Sequence, residues 1–213
     1  MVKTILCFGD SLTWGFMAGS WTRHAFEDRW PNVLAAGLGG KIRVIEEGMN
    51  GRTTSYDDPT DAAELNGAKA LPIMLKSHEP LDLAIIMLGT NDLKFAGRCR
   101  AFDAALGMGR LVEIVQHYPY NDNYDQPEVL IVSPPAIVET ADPYFTDIWG
   151  HALEESKKLA RHYRNIAEER GVHFFDAGSV AVADPTDGGH LDAENTRAIG
   201  TALVPVVKSI LAL

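Results

Sequence analysis

Five short apolar runs, at 4–8, 42–47, 83–88, 129–133 and 173–176, constrain this chain more than any other feature. Each is rich in branched or aromatic residues and shows little polar alternation. That is the pattern of strands covered on both faces. Between the runs lie segments of helical spacing. Trp30, Val33, Leu34 and Leu38 share one face, with Pro31 tolerated in a first turn. Ala70, Ile73 and Met74 mark a second helix, stopped by Pro80. Leu106, Leu111, Ile114 and Val115 mark a third, weakened by Gly107 and Gly109. A helix over 149–170 ends at Gly171 with Arg170 in its last turn. A final one over 193–211 contains Pro205, which is expected to kink it or to limit its regular part. Strand and helix alternate throughout, which predicts a parallel sheet with helices on both faces. There is no repeat, low-complexity tract or linker, so 1–213 reads as one domain.

Composition narrows the function. A chain of 213 residues can bury a sizeable core. Its formal net charge of -10 repels phosphate backbones and argues against nucleic acid as a partner. The local cluster Lys94, Arg98 and Arg100 reads as a solvated patch. Cys7 lies in the first apolar run, where a reduced, buried thiol is the default. Cys99 stands in a polar stretch. No disulfide framework or paired-ligand zinc site emerges from the two cysteines. The start, Met1-Val2-Lys3-Thr4, leads straight into a strand pattern without a signal-peptide core. No window is long and apolar enough to span a bilayer. The expectation is a cytoplasmic protein with no membrane partner, no metal and no cofactor. The irregular stretches 50–66 and 118–127 are long enough to suggest functional loops. Within the second, Asn121 to Gln126 lacks the glycine and distal glutamate of a calcium loop and reads as a solvated turn.

In an open parallel sheet, ligands bind beyond the carboxyl ends of the strands. Here the strands end in Gly9-Asp10-Ser11, Glu47-Gly48-Met49-Asn50-Gly51-Arg52, Gly89-Thr90-Asn91-Asp92 and Ser133-Pro134-Pro135, and the loop after the fifth carries Asp187-Gly188-Gly189-His190. Each alone is ordinary turn material. Together they hold the parts of an acyl-transfer site. Ser11 is a nucleophile if a base takes its proton, and His190 is a candidate base. Asp187, three residues earlier across two glycines, can turn back to the imidazole Nδ1–H and fix its tautomer. The Ser11 and Gly51 backbone N–H groups and the Asn91 side-chain amide are candidate oxyanion donors. The G-x-S-x-G elbow is absent, because Thr13 stands at its fifth position, which argues against an α/β-hydrolase. Two competing readings are a flavin phosphate cradled after the first strand and a catalytically silent scaffold. Neither accounts for Asn91, Asp187 and His190 together.

These blocks resemble the SGNH hydrolases, also called GDSL esterases or lipases. "FGDSLTWG" resembles the first block with Ser11, "EEGMNGRTT" the second with Gly51, "LGTNDL" the third with Asn91, and "DGGHLDAENTRAIG" the fifth with Asp187 and His190. "VIEEGMNGRTTSYDDPTD" and "LNG" at 65–67 are similar to the bacterial arylesterase and acetyl-ester hydrolase branch. The resemblance implies a flavodoxin-like three-layer α/β/α sandwich with a five-stranded parallel sheet. It implies hydrolysis of short-chain acyl esters, of acetyl, aryl or carbohydrate type, through an acyl-enzyme on Ser11, sometimes with acyl transfer to alcohols or peroxide. It also implies a homo-oligomer. The candidate pocket walls are Trp14, Pro134, Ala136, Ile137, Phe145 and Leu191. Trp14 reads equally as a core aromatic. Asp10 is expected to fix the nucleophile loop by hydrogen bonds.

Overall fold

Strand β1 (Lys3–Gly9) lies inside the sheet, between β2 (Ile42–Gly48) and β3 (Leu83–Met87). Beyond β3 follow β4 (Glu128–Ser133) and β5 (His173–Asp176), giving the all-parallel order β2-β1-β3-β4-β5. The computed structural model describes residues 2–40, 42–94 and 100–213; Arg98 and Cys99 lie outside the described residues. Strand period two divides the core. Leu6, Phe8, Ala84, Ile86, Val129 and Ile131 point to one face, and Ile5, Cys7, Leu83, Ile85, Leu130 and Val132 to the other. The first face is covered by α3 (Gly67–His78), α4 (Ala101–His117) and α7 (Leu159–Arg170). The second is covered by α2 (Trp30–Leu38) and α8 (Ala193–Leu211). The result is a flavodoxin-like α/β/α sandwich. Cys7 is a buried free thiol, as its position in the first run predicts.

Helix starts follow local chemistry. The Asn66 carboxamide oxygen accepts from Ala68 N at 3.0 Å and caps α3. Asp192 accepts from Asn195 N at 2.7 Å and caps α8. Asp142 accepts from Tyr144 N and caps α5 (Pro143–Trp149), which carries proline in its first turn.

Several expectations need correction. The outer strands β2 and β5 are edge strands and only half-buried, because one long side of each has no neighbour. Leu106 and Ile73 face solvent, whereas Leu111, Val115, Ala70 and Leu71 carry the buried faces of their helices. The single helix expected over 149–170 is broken. After α5 come a 3-10 turn at Gly150–Ala152, α6 (Leu153–Ser156), and only then α7. Glycine begins the break, and the Ser156 hydroxyl deepens it. That hydroxyl donates to Leu153 O at 2.8 Å and accepts from Ile137 N at 3.0 Å, so this turn anchors the loop after β4. By contrast, α8 runs through Pro205 as one helix. Thr201, whose carbonyl loses its i+4 donor there, is exposed, so the freed oxygen is open to solvent. The turn from Asn121 to Gln126 lies on the surface, every residue exposed. No described helix is long and apolar enough to cross a membrane.

Candidate active site

The order β2-β1-β3 makes the carboxyl ends of these strands the switch point where chain connections leave to opposite sides. Ser11, Gly51 and Asn91 follow those three ends. Ser11 opens a one-turn helix, α1 (Ser11–Trp14), whose cap is Asp10: its Oδ1 accepts from Leu12 N at 3.0 Å. As first residue of that turn, Ser11 has an N–H without an intrahelical acceptor.

His190 reaches Ser11 from the segment between β5 and α8. Its Nε2 lies 3.0 Å from Ser11 Oγ, and its Nδ1 lies 2.9 Å from Asp187 Oδ2. A carboxylate only accepts, so Nδ1 carries the proton and Nε2 is free to accept from the serine hydroxyl. Asp187 is fully buried. Its Oδ1 accepts from Gly189 N and His190 N, and its Oδ2 also accepts from Gly19 N at 3.2 Å. Burial alone would raise its pKa, but the hydrogen bonds and charge of His190 outweigh it and hold the carboxyl below its ordinary value. The two glycines between acid and base are sterically required. Gly188 has φ of 79° and faces Val138 O, and a Cβ on Gly189 would sit 2.3 Å from the Trp149 ring.

The candidate oxyanion donors converge on the same corner. Gly51 follows β2 in the left-handed region, at φ 81°. Asn91 Nδ2 donates to Arg52 O at 3.1 Å and to Asp10 Oδ2 at a longer 3.3 Å. Asp10 thus performs the loop-fixing role expected of it, from both carboxylate oxygens. Burial pushes its pKa up to about 6, against the Leu12 N–H and the charges of His190 and Arg52. Asp92, one residue after Asn91, is pushed up to about 7 by burial, although Thr54 donates to it from both N and Oγ1. That pair ties the loop after β3 to the loop after β2.

The expected wall residues separate into four groups. Phe145 and Ile137 line a cavity of about 270 Å³ together with Trp149 and Asp187, and the Phe145 ring centre is 6.1 Å from that of His190. Pro134 and Ala136 line a second cavity, of about 290 Å³, which shares none of its lining with Ser11, Asp187 or His190. Leu191 belongs to the core, and its carbonyl lies 3.0 Å from His24 Nε2. Trp14 is half-buried, one ring removed from the histidine, with Arg23 over its face at 4.8 Å. Sequence reasoning missed Phe16, which stacks on His190 at 4.1 Å, and Trp21 and Trp149, which sandwich Phe145. Their only signal was aromatic density near Gly15 and in α5. Arg52, 1% exposed, was missed as well. Among the described residues, no cluster of three or more His, Cys, Asp or Glu side chains could hold a metal ion.

The sequence model of the GDSL-like lipase/acylhydrolase family matches residues 7–198. The chain belongs to this family. Among solved structures, a carbohydrate acetylesterase family member from Sinorhizobium meliloti is 50% identical, with a TM-score of 0.96 over 99% of this chain and 100% of its own. The aryl esterase of M. smegmatis is 46% identical, with a TM-score of 0.94 over 98% of this chain and 100% of its own. A second carbohydrate acetylesterase from Sinorhizobium meliloti is 42% identical, with a TM-score of 0.93 over 98% of this chain and 99% of its own. No curated protein matches the chain significantly. Membership and neighbours together indicate that this GDSL family member is a carboxylic ester hydrolase.

Proposed function

We propose that the protein hydrolyses short-chain acyl esters, chiefly acetates of aryl or carbohydrate alcohols, through an acyl-enzyme on Ser11. The observation that carries this reading is the unbroken chain Ser11 Oγ, His190 Nε2, His190 Nδ1 and Asp187 Oδ2, with contacts of 3.0 and 2.9 Å. The serine oxygen attacks the ester carbonyl carbon while His190 Nε2 takes its proton. The carbonyl oxygen becomes an oxyanion held by Ser11 N–H, Gly51 N–H and Asn91 Nδ2. Collapse breaks the bond to the alcohol, which leaves with the proton from His190. Water then gives a proton to the same nitrogen and attacks the acyl-serine, and acetate departs as Ser11 regains its proton. An alcohol or hydrogen peroxide in place of that water gives a transferred acyl group or a peracid. Asp187 keeps the imidazole in the required tautomer throughout. The neighbours' descriptions as aryl esterase and carbohydrate acetylesterases support the choice of alcohol. The ring cluster around His190 supports it too, because a flat alcohol finds aromatic faces there. We take the working unit to be a single domain that assembles into a homo-oligomer. Hydrolysis of an activated acetate ester, such as 4-nitrophenyl acetate, by wild type and by Ser11→Ala tests the reading. Wild type should turn over and the variant should not; equal rates would refute it.

A further inference from the structure

Arg52 takes no part in the reaction just described, yet it is one of the largest fully buried side chains in the protein. A guanidinium placed there loses its hydration and must be repaid by hydrogen bonds. Its bonds go to backbone. One nitrogen, Nη1, donates to Gly9 O at 2.8 Å and also to Glu47 O, the last carbonyl of β1 and the last but one of β2. The guanidinium carbon lies 4.2 Å from the centre of the Phe8 ring, so the cation also rests on an aromatic face. Burial draws its pKa down to about 10, partly offset by the charges of Glu47 and Asp10, so it stays charged at neutral pH.

The same residue meets the support of every proposed oxyanion donor. Gly9, which its side chain holds, stands two residues before Ser11. Gly51 immediately precedes it in the chain. Asn91 Nδ2 donates to its carbonyl oxygen at 3.1 Å. The loop that carries Gly51 leaves an edge strand and forms no helix of its own until α3. The bond from Met49 N to Gly9 O, at 3.1 Å, also ties that loop to the end of β1.

We propose that Arg52 is a positioning residue that holds the three oxyanion donors at one point. Its side chain fastens the loop of Gly51 to the strand end before Ser11, and its carbonyl aims Asn91. This inference rests on the ester-hydrolysis reading and on the three-donor site within it. Donors serve an oxyanion only when they sit at hydrogen-bond distance from the place where charge develops. A misplacement of about 1 Å costs on the order of a hundredfold in rate. The ground-state ester makes weaker use of these donors, so substrate binding should change little.

The test uses Arg52→Met, which keeps bulk but removes charge and donors, and Arg52→Lys, which keeps the charge on a shorter arm without the planar face. On 4-nitrophenyl acetate, Arg52→Met should lose roughly a hundredfold in kcat while KM moves by no more than about threefold. Arg52→Lys should fall between it and wild type. Inhibition by an aryl boronic acid, which forms a tetrahedral anion on serine, should weaken in step with kcat/KM. If Arg52→Met does not fold, Arg52→Lys carries the same comparisons. Wild-type kcat and boronate affinity in either folded variant would overturn the proposal. So would a loss confined to KM or to the melting temperature. Amide exchange at Gly51 and the side-chain NMR signals of Asn91 read positioning without turnover, and both should change in the variants. An inactive wild type would therefore sink the hydrolysis reading, while unchanged Gly51 and Asn91 signals would sink the clamp.

Discussion

Gly48 ends β2 where α1 crosses it, and replacing it with alanine tests how tightly the nucleophile is placed. A Cβ built on Gly48 would lie 2.1 Å from Trp14 N, 2.6 Å from Trp14 Cα and 2.7 Å from Thr13 C. All three are backbone atoms, so no side chain can swing aside. Ordinary contact starts at 3.4 Å, and the turn that carries Ser11 must therefore move away from β2 by roughly 1 Å. The Ser11 Oγ to His190 Nε2 contact is 3.0 Å, and such a shift takes it out of hydrogen-bond range. Misplacement of this size costs about a hundredfold in kcat/KM. Overpacking of this kind also costs about 1–3 kcal/mol of stability, with each kcal/mol lowering the melting temperature by roughly 2–4 °C in a chain of this length. The assay is 4-nitrophenyl acetate turnover beside a thermal melt. Gly40→Ala is the internal control: nothing lies within 4 Å of its Cβ, and it should match wild type in both readings. A Gly48→Ala variant with wild-type kcat/KM would refute the claim that α1 is seated against β2 to place the serine.

Other expectations follow from the same geometry. Asp187→Asn should keep the fold, because Oδ1 can still accept from Gly189 N and His190 N, but lose roughly 10⁴-fold in kcat through the wrong imidazole tautomer; wild-type turnover would show that another group orients the ring. Asn91→Ala should lower kcat by about 10²–10³-fold with a smaller effect on KM, and the reverse split would place Asn91 in ground-state binding. Asp10 has its folded pKa raised to about 6 from 3.8, so its ionised form costs stability above pH 6 and that cost disappears as pH falls through 6 toward 3.8. Urea unfolding at pH 7.5 and 4.5 should then show wild type gaining about 2 kcal/mol on Asp10→Asn at the lower pH, whereas a difference independent of pH would contradict the shift. Acetate should be preferred to octanoate in kcat/KM, because a longer chain gains about 0.8 kcal/mol per methylene only where an apolar channel receives it, and the cavity beside Asp187 is only about 270 Å³; a maximum at octanoate would overturn this.

The sheet was readable because its central strands are buried on both faces and its residues are consequently apolar without alternation. The corner of Ser11, Gly51, Asn91, Asp187 and His190 was readable because each residue follows a strand end in a short, recognisable block. The helix break at Gly150 was not readable. It depends on Ser156 accepting from Ile137, a contact across 19 positions of sequence. Leu106 and Ile73 looked like core residues because apolar spacing cannot tell which of two adjacent stripes a helix buries. Arg52 could not be read at all. Arginine is usually exposed, and the carbonyls that bury this one come from two strand ends brought together only by the sheet. Phe16 likewise gives no sequence sign that it stacks on a histidine 174 positions later.

The central claim is that the acyl group passes through Ser11. Wild type mixed with 4-nitrophenyl acetate, quenched within the first turnover and digested for mass spectrometry, tests it most directly. The account predicts one acetyl group on the peptide that contains Ser11, its loss on further incubation in water, and no acetylation of that peptide in Ser11→Ala. Sustained hydrolysis by folded Ser11→Ala, or an acetyl group carried in turnover by another residue, would contradict it.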